Sequence, residues 1–313
     1  MAKVITNGVA LNVMLLPSRR RNAPQRSQTP NVFIHGLAAS QAFWYASGAE
    51  FFTIFGPSLM YDLKGHGRSE IAPSGYSVAD MADDLFGLLD HYDAPPANVI
   101  AHSFGGMIAL HAALKAPERF KSLTLLDVRV RPLQQTISIR MQALTPRIRG
   151  VLEKHGIDPD SLKSSEDGIT YLNDVARIQI AAPNDADEIL RALHKHPRIF
   201  KSPKSARRWI ELTEKASVMA GLLEKSPFHA RDLSSLRMPM NIQVGTKSPT
   251  LNSARKLREL CPHALYQEHE GLGHFFPINN SRVFLRSSLR FIRKVNVGKI
   301  PSRAAPEPKQ EAS

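Results

Sequence analysis

The residues best equipped for chemistry are Ser103 and His274, each set among glycines where the hydrophobic pattern changes period. In "NVIAHSFGGMIAL" (98–110) a short apolar run reaches Ser103, passes Gly105 and Gly106, and continues at helical spacing. A serine hydroxyl becomes a nucleophile only when a base takes its proton and donors receive the oxyanion. It must also sit on a turn tight enough to expose it, and Ala101 and Gly105 occupy the two positions where a larger side chain would clash in such a strand-to-helix elbow. The N–H of Phe104, first in the helix, would face the developing oxyanion and gain from the helix dipole. The competing interpretation of Ser103 is an ordinary helix-capping serine. Because Ala101 stands where glycine is usual, the stretch alone leaves both open.

The other parts of such a site lie far apart in the chain. "EGLGHFFP" puts His274 between the last strand-like and last helix-like segments, with glycines that let the loop approach the sheet edge. Among the 12 histidines it has the best context for a general base near pH 7. "FIHGLAAS" ends a strand at His35-Gly36, so the N–H of Leu37 is the second oxyanion donor. His35 itself is expected to hold that loop. His66, in "KGHGRS", is the rival base, in a loop scaffolded by Asp62 and Arg68, while His102 is expected to face away from Ser103.

These residues need a frame, and the sequence supplies one. "KVITNGVALNVMLL" is a hairpin turning at Asn7-Gly8. Strands are expected at 31–36, 58–63, 97–103 and 120–128, with helices in "QAFWYASGAEFF", behind the N-cap Ser77 (77–93), and after Ser103. Strands alternating with helices at this spacing make right-handed βαβ units and a parallel sheet. From 131 to 235 the segments "RIRGVLEKHG", "DADEILRALHKH" and "SARRWIELTEKASVMAGLLEK" are helical with no strand between them. The rhythm returns with a strand at 238–245, a helix in "PTLNSARKLREL", a strand in "ALYQEHEG" and a last helix, "SRVFLRSSLRFIRKV". The organisation is therefore a core in two parts (1–130 and 236–298), a helical insertion (131–235) and a polar, Pro- and Ala-rich tail (299–313) expected to be disordered.

Composition narrows the function classes. No apolar run is long enough for a membrane span, the N-terminus lacks a secretory pattern, and the single cysteine, Cys261, rules out an internal disulfide or a thiolate metal site. A cytoplasmic protein without metal or cofactor is expected. The net charge of +13 comes mainly from the ends: five basic residues against no acidic ones in 1–30, and eight against two in 281–313. The stretch 31–130 is net negative, at six against ten, so the basic periphery argues for solvation rather than nucleic-acid binding.

Taken in order, "HGLAAS", "YDLKGHGRS", "AHSFGG" and "GLGHFFP" resemble the α/β-hydrolase superfamily over nearly the whole chain. The resemblance implies a mostly parallel eight-stranded sheet, a helical cap at 131–235, and a triad in the order nucleophile, acid, histidine. It also shows a departure. The family's acid usually follows the strand written here "NIQVG", where this chain has Gly245-Thr246-Lys247-Ser248 and no carboxylate before Glu259. Some relatives take the acid from the end of the strand after the nucleophile's helix, and there "LTLLDV" offers Asp127. The alternative for Asp127 is a carboxylate capping the start of the cap.

The constellation is then Ser103–Asp127–His274 with oxyanion donors Leu37 and Phe104. A serine nucleophile argues against the aspartate-dependent dehalogenase and epoxide hydrolase chemistries of the superfamily. What remains is acyl transfer to water from a small-molecule acyl substrate: an ester or thioester, a lactone, or a carbon–carbon bond beside a ketone. Phe43, Trp44 and Met107 are candidate pocket walls, with core packing as the alternative. The run 197–208, with Arg198, Lys201, Lys204, Arg207 and Arg208, would suit an anionic substrate or an acidic carrier protein delivering a thioester. The competing class is a non-catalytic binding module, motivated by Ser248 in the usual acid position.

Overall fold

A computed structural model describes residues 2–20, 28–136, 144–162, 168–193, 199–200, 202–300 and 302. The hairpin joins β1 (Ala2–Thr6) to β2 (Val9–Leu16) through Asn7 and Gly8, both at positive φ (49° and 77°). Those two residue types adopt that conformation most readily, and such turns match the twist of the strands they join. Six further strands follow: β3 (Asn31–Ile34), β4 (Ser58–Tyr61), β5 (Ala97–His102), β6 (Phe120–Leu126), β7 (Met240–Gly245) and β8 (Leu265–His269). They form one eight-stranded sheet in the order β1-β2-β4-β3-β5-β6-β7-β8. β2 pairs antiparallel with β1 and β4, and every other pairing is parallel.

Strands β3, β4, β5 and β7 are buried at every position because helices cover both faces. On one face lie α2 (Val78–His91), α3 (Phe104–Lys115) and α9 (Leu251–Leu260), which contribute Met81, Leu85, Ile108 and Leu257 to the larger core. On the other lie α1 (Gln41–Ser47), the single turn α10 (Phe276–Asn279) and α11 (Ser281–Asn296), with Trp44, Phe52, Phe284 and Phe291 packed on Phe33 and Met60 of the sheet. Ser77 caps α2 as its sequence implies: its hydroxyl accepts from the N–H of Asp80, whose carboxylate accepts in return from the N–H of Ser77.

Between β6 and β7 the described residues hold five helices: α4 (Pro146–Lys154), α5 (Gly168–Ala181), α6 (Ala186–Ala192), α7 (Pro203–Thr213) and α8 (Ala216–Leu223). Sequence patterning missed α5, "GITYLNDVARIQIA", whose buried face mixes Asp174 and Gln179 with Leu172, Val175 and Ile178. It also fused α7 and α8 into one helix. The break comes where the Thr213 hydroxyl bonds back to the carbonyls of Trp209 and Ile210, in competition with the helix ladder. The Ser217 hydroxyl ties this layer to the core by donating to Pro73 O (2.7 Å), and the Arg131 guanidinium ties the start of the insertion to its α8 end at Glu224 O (2.8 Å). Arg198, Lys201 and all but residues 299, 300 and 302 of the proposed tail lie outside the described residues. No helix among the described residues is long and apolar enough to cross a membrane.

Two glycines in helices make contrasting predictions. A Cβ on Gly105 would stand 2.6 Å from the backbone oxygens of both Ile34 and His35, whereas one on Gly150 in α4 meets nothing within 4 Å. Gly105→Ala should lower unfolding free energy by about 2–3 kcal/mol through forced backbone displacement. Gly150→Ala should raise it by about 0.5–1 kcal/mol through helix propensity. Urea midpoints at unchanged slope measure both.

Candidate active site

Ser103 sits between β5 and α3 with φ 54° and ψ −122°, a conformation L-residues avoid. It is held there from both sides: its N–H donates to Leu126 O (3.1 Å) and its carbonyl accepts from the N–H of Gly106 (2.9 Å). The bend works only because its neighbours are small. A Cβ on Gly106 would strike the Val128 side chain at 2.2 Å, and one on Gly36 would lie 2.9 Å from the Cβ of Ser103. The Ser103 hydroxyl makes no cap hydrogen bond, which disposes of the helix-capping alternative. Its Oγ instead lies 3.0 Å from Nε2 of His274.

His274 is delivered by the loop after β8, which is laced to the turn after β7. The N–H of Lys247 donates to Leu272 O (2.9 Å) and that of Gly271 to the Thr246 hydroxyl (2.8 Å). Gly245 permits the crossing, since a Cβ there would be 2.2 Å from Leu272 O. On its far side, Nδ1 of His274 lies 2.8 Å from Oδ1 of Asp127. A carboxylate there accepts, so Nδ1 carries the proton and Nε2 is free to accept from the Ser103 hydroxyl. The histidine side chain is 22% exposed and the carboxylate 0%, so the imidazole is reachable while the carboxylate is sealed.

Asp127 lies just past β6, at φ 53°. Its N–H still continues the ladder to Gln243 O (2.8 Å), and the turn swings the carboxylate toward β7. There Oδ2 accepts from the N–H of Gly245 (3.0 Å), and Oδ1 accepts from the hydroxyls of Ser248 and of Thr250 (2.6 Å to the latter). Burial would push this carboxyl up, but the hydrogen bonds from His274, Ser248 and Thr250 outweigh it and hold the group below the usual carboxylate range.

A family model described as the alpha/beta hydrolase fold matches residues 31–155. A thermophilic esterase from Thermogutta terrifontis superposes with a TM-score of 0.60 at 18% identity, over 94% of this chain and 98% of that one. The chain has the α/β-hydrolase fold. Among curated relatives, a protein of Variovorax paradoxus named carbamate hydrolase RutD is 36% identical over 31% of this chain and 37% of its own length. The RutD-named protein of Caulobacter segnis is 25% identical over 82% of this chain and 88% of its own. The first of these matches spans little more than a third of its relative.

Within this fold the N–H groups of Leu37 and Phe104 are without an intramolecular partner among the described residues, and the Gly36 contact puts the Leu37 turn against Ser103. Met107 and Trp44 are fully packed, on opposite faces of the sheet, while Phe43 stacks on the His102 ring at 4.8 Å between centroids. His102 does not turn away from the site as expected. Its ring lies 4.8 Å from that of His274, and its Nε2 is 3.0 Å from the His274 carbonyl, so it backs the loop carrying the base. His35 bridges Gly36 O and the N–H of Leu63, and the Asp62 carboxylate gathers Asn12, Gln41 and Arg68, both as scaffolding. His66 is buried with Nδ1 on Lys64 O. Sequence reading noted Ser248 only as a missing acid and passed over Thr250; the hydroxyl-rich "TKSPT" was the available signal.

Burial pushes His35 down to about 4 and both His66 and His102 down to about 3. These imidazoles stay neutral in the fold but take up protons near 6.5 once unfolded. Their stabilisation is complete above that value and is lost as pH falls from about 6.5 toward 4, by up to about 1.4 kcal/mol per pH unit for each. Urea midpoints should therefore fall steeply between pH 7 and pH 5, and His66→Gln should flatten that slope by one proton's worth. Parallel slopes for the two proteins would show that His66 does not titrate this way.

Proposed function

We propose that the protein is a serine hydrolase that cleaves a carboxylic ester or thioester through an acyl-enzyme. The observation that carries this reading is the unbroken chain Ser103 Oγ, His274 Nε2, His274 Nδ1, Asp127 Oδ1, with links of 3.0 and 2.8 Å. As Ser103 attacks the acyl carbon, His274 takes its proton and becomes an imidazolium facing the Asp127 carboxylate. The N–H groups of Leu37 and Phe104 receive the oxyanion, and His274 returns the proton to the leaving group. Water then enters, is deprotonated by the same histidine, and releases the acid and Ser103. Leaving the acyl group on Ser103 between the two halves is what separates this chemistry from direct attack by water.

The name of the RutD relatives supports a second reading, in which the same machinery opens a carbamate. A lactone, or a carbon–carbon bond beside a ketone, stays within reach of the same nucleophile and oxyanion donors. An acidic carrier protein would meet Lys204 and Arg207, which are exposed on α7; Arg208 is instead tied to the carbonyl of Ser69.

A fluorophosphonate probe tests the class directly. It should label Ser103 rapidly, as located by peptide mass spectrometry, and Asp127→Asn and His274→Ala should slow labelling by at least about a hundredfold. Folded wild-type protein that stays unlabelled would instead favour a binding module with an inherited elbow. Charge reversal at Lys204 and Arg207 should depress turnover of a carrier-bound thioester while sparing a small ester; equal turnover of both would remove the carrier.

A further inference from the structure

The turn after β7 holds hydroxyls where a charge is being stabilised. Ser248 and Thr250 both direct their Oγ atoms onto Oδ1 of Asp127, the oxygen that also accepts from Nδ1 of His274. The two hydroxyls lie 3.1 Å from each other, and the N–H of Thr250 reaches Ser248 Oγ at 3.2 Å, so the pair is fixed by its own turn. Both side chains are buried, at 6% and 2% exposure, which removes water as the competing donor. We infer that Ser248 and Thr250 are positioning residues that clamp the Asp127 carboxylate into line with His274. The inference rests on the serine hydrolase reading above.

Two physical arguments support it. Asp127 stands at φ 53°, outside the strand ladder for its side chain, so its aim depends on what grips it beyond β6. Oδ2 is held by one backbone N–H, that of Gly245; the reacting-side oxygen Oδ1 is held by side chains alone. Hydroxyls suit this place better than ammonium or guanidinium groups: they satisfy lone pairs without cancelling the negative charge that the imidazolium needs.

The test pairs loss of the hydroxyls with their conservative exchange. Ser248→Ala/Thr250→Val should reduce the second-order labelling rate at Ser103 and ester kcat/KM by about ten- to a hundredfold, and should move the acid limb of the pH profile. Ser248→Thr/Thr250→Ser, which keeps both hydroxyls, should stay near wild type. Asp127→Gly, compatible with the positive φ, should abolish rapid labelling. Wild-type rates and an unmoved acid limb in Ser248→Ala/Thr250→Val would overturn the clamp while leaving the serine hydrolase reading intact. If wild type itself fails to label, the underlying reading falls, and that outcome is visible before any variant is made.

Discussion

A buried negative charge has to be surrounded by donors, and in this protein that requirement organises one end of the sheet. Asp127 lies between β6 and β7 with four groups aimed at it: the Gly245 N–H, the Ser248 and Thr250 hydroxyls and the His274 imidazole. Each charge-assisted bond of this kind contributes about 1.5–3 kcal/mol, enough together to offset both the desolvation of the carboxylate and the strain of its left-handed backbone. The donors come from β7, from the turn after it and from the loop after β8. The carboxylate thus fixes where three separate segments meet.

The Ser103 side of the site obeys a steric constraint. A strained serine can persist only where its surroundings leave it no alternative, and here the surroundings are backbone and glycine. Gly105 lies against the Ile34 and His35 carbonyls, Gly106 against Val128, and Gly36 against Ser103 itself. The same crowding accompanies a φ of 54° at Ser103, beside Phe104 and Leu37 N–H groups that have no intramolecular partner among the described residues. His102 completes the arrangement by packing its neutral, buried ring between Phe43 and His274.

What was legible in the sequence follows from how local each signal is. The hairpin at Asn7-Gly8, the Ser77 cap, the elbow at Ser103 and the glycine-flanked loop of His274 are each written within about ten residues, so turn chemistry and periodicity reveal them. Asp127 needed the family resemblance, which points to the end of the strand after the helix that follows Ser103, as well as its own neighbourhood. The clamp escaped notice because Ser248 and Thr250 matter through a contact across more than 120 residues, and a hydroxyl in a turn carries no mark of what it faces. His102 was misplaced for a related reason. Strand alternation predicts the side a residue leaves from, but its ring reaches the base through a loop that arrives from β8. The missed helix α5 has the opposite cause, since a polar stripe buried against other helices weakens the periodic signal.

The central claim is that Asp127, lying after β6, is the carboxylate that orients the base. Proton NMR of the folded protein tests this most directly. A His274 Nδ1–H bonded to a buried carboxylate at 2.8 Å and shielded from water should give a far-downfield imidazole resonance that exchanges slowly enough to observe. The account predicts such a signal, assigned through selective histidine labelling, with its loss in Asp127→Asn and its persistence in Ser103→Ala. A downfield His274 signal that survives in Asp127→Asn would mean that another group holds the imidazole, and the account would be wrong at its centre.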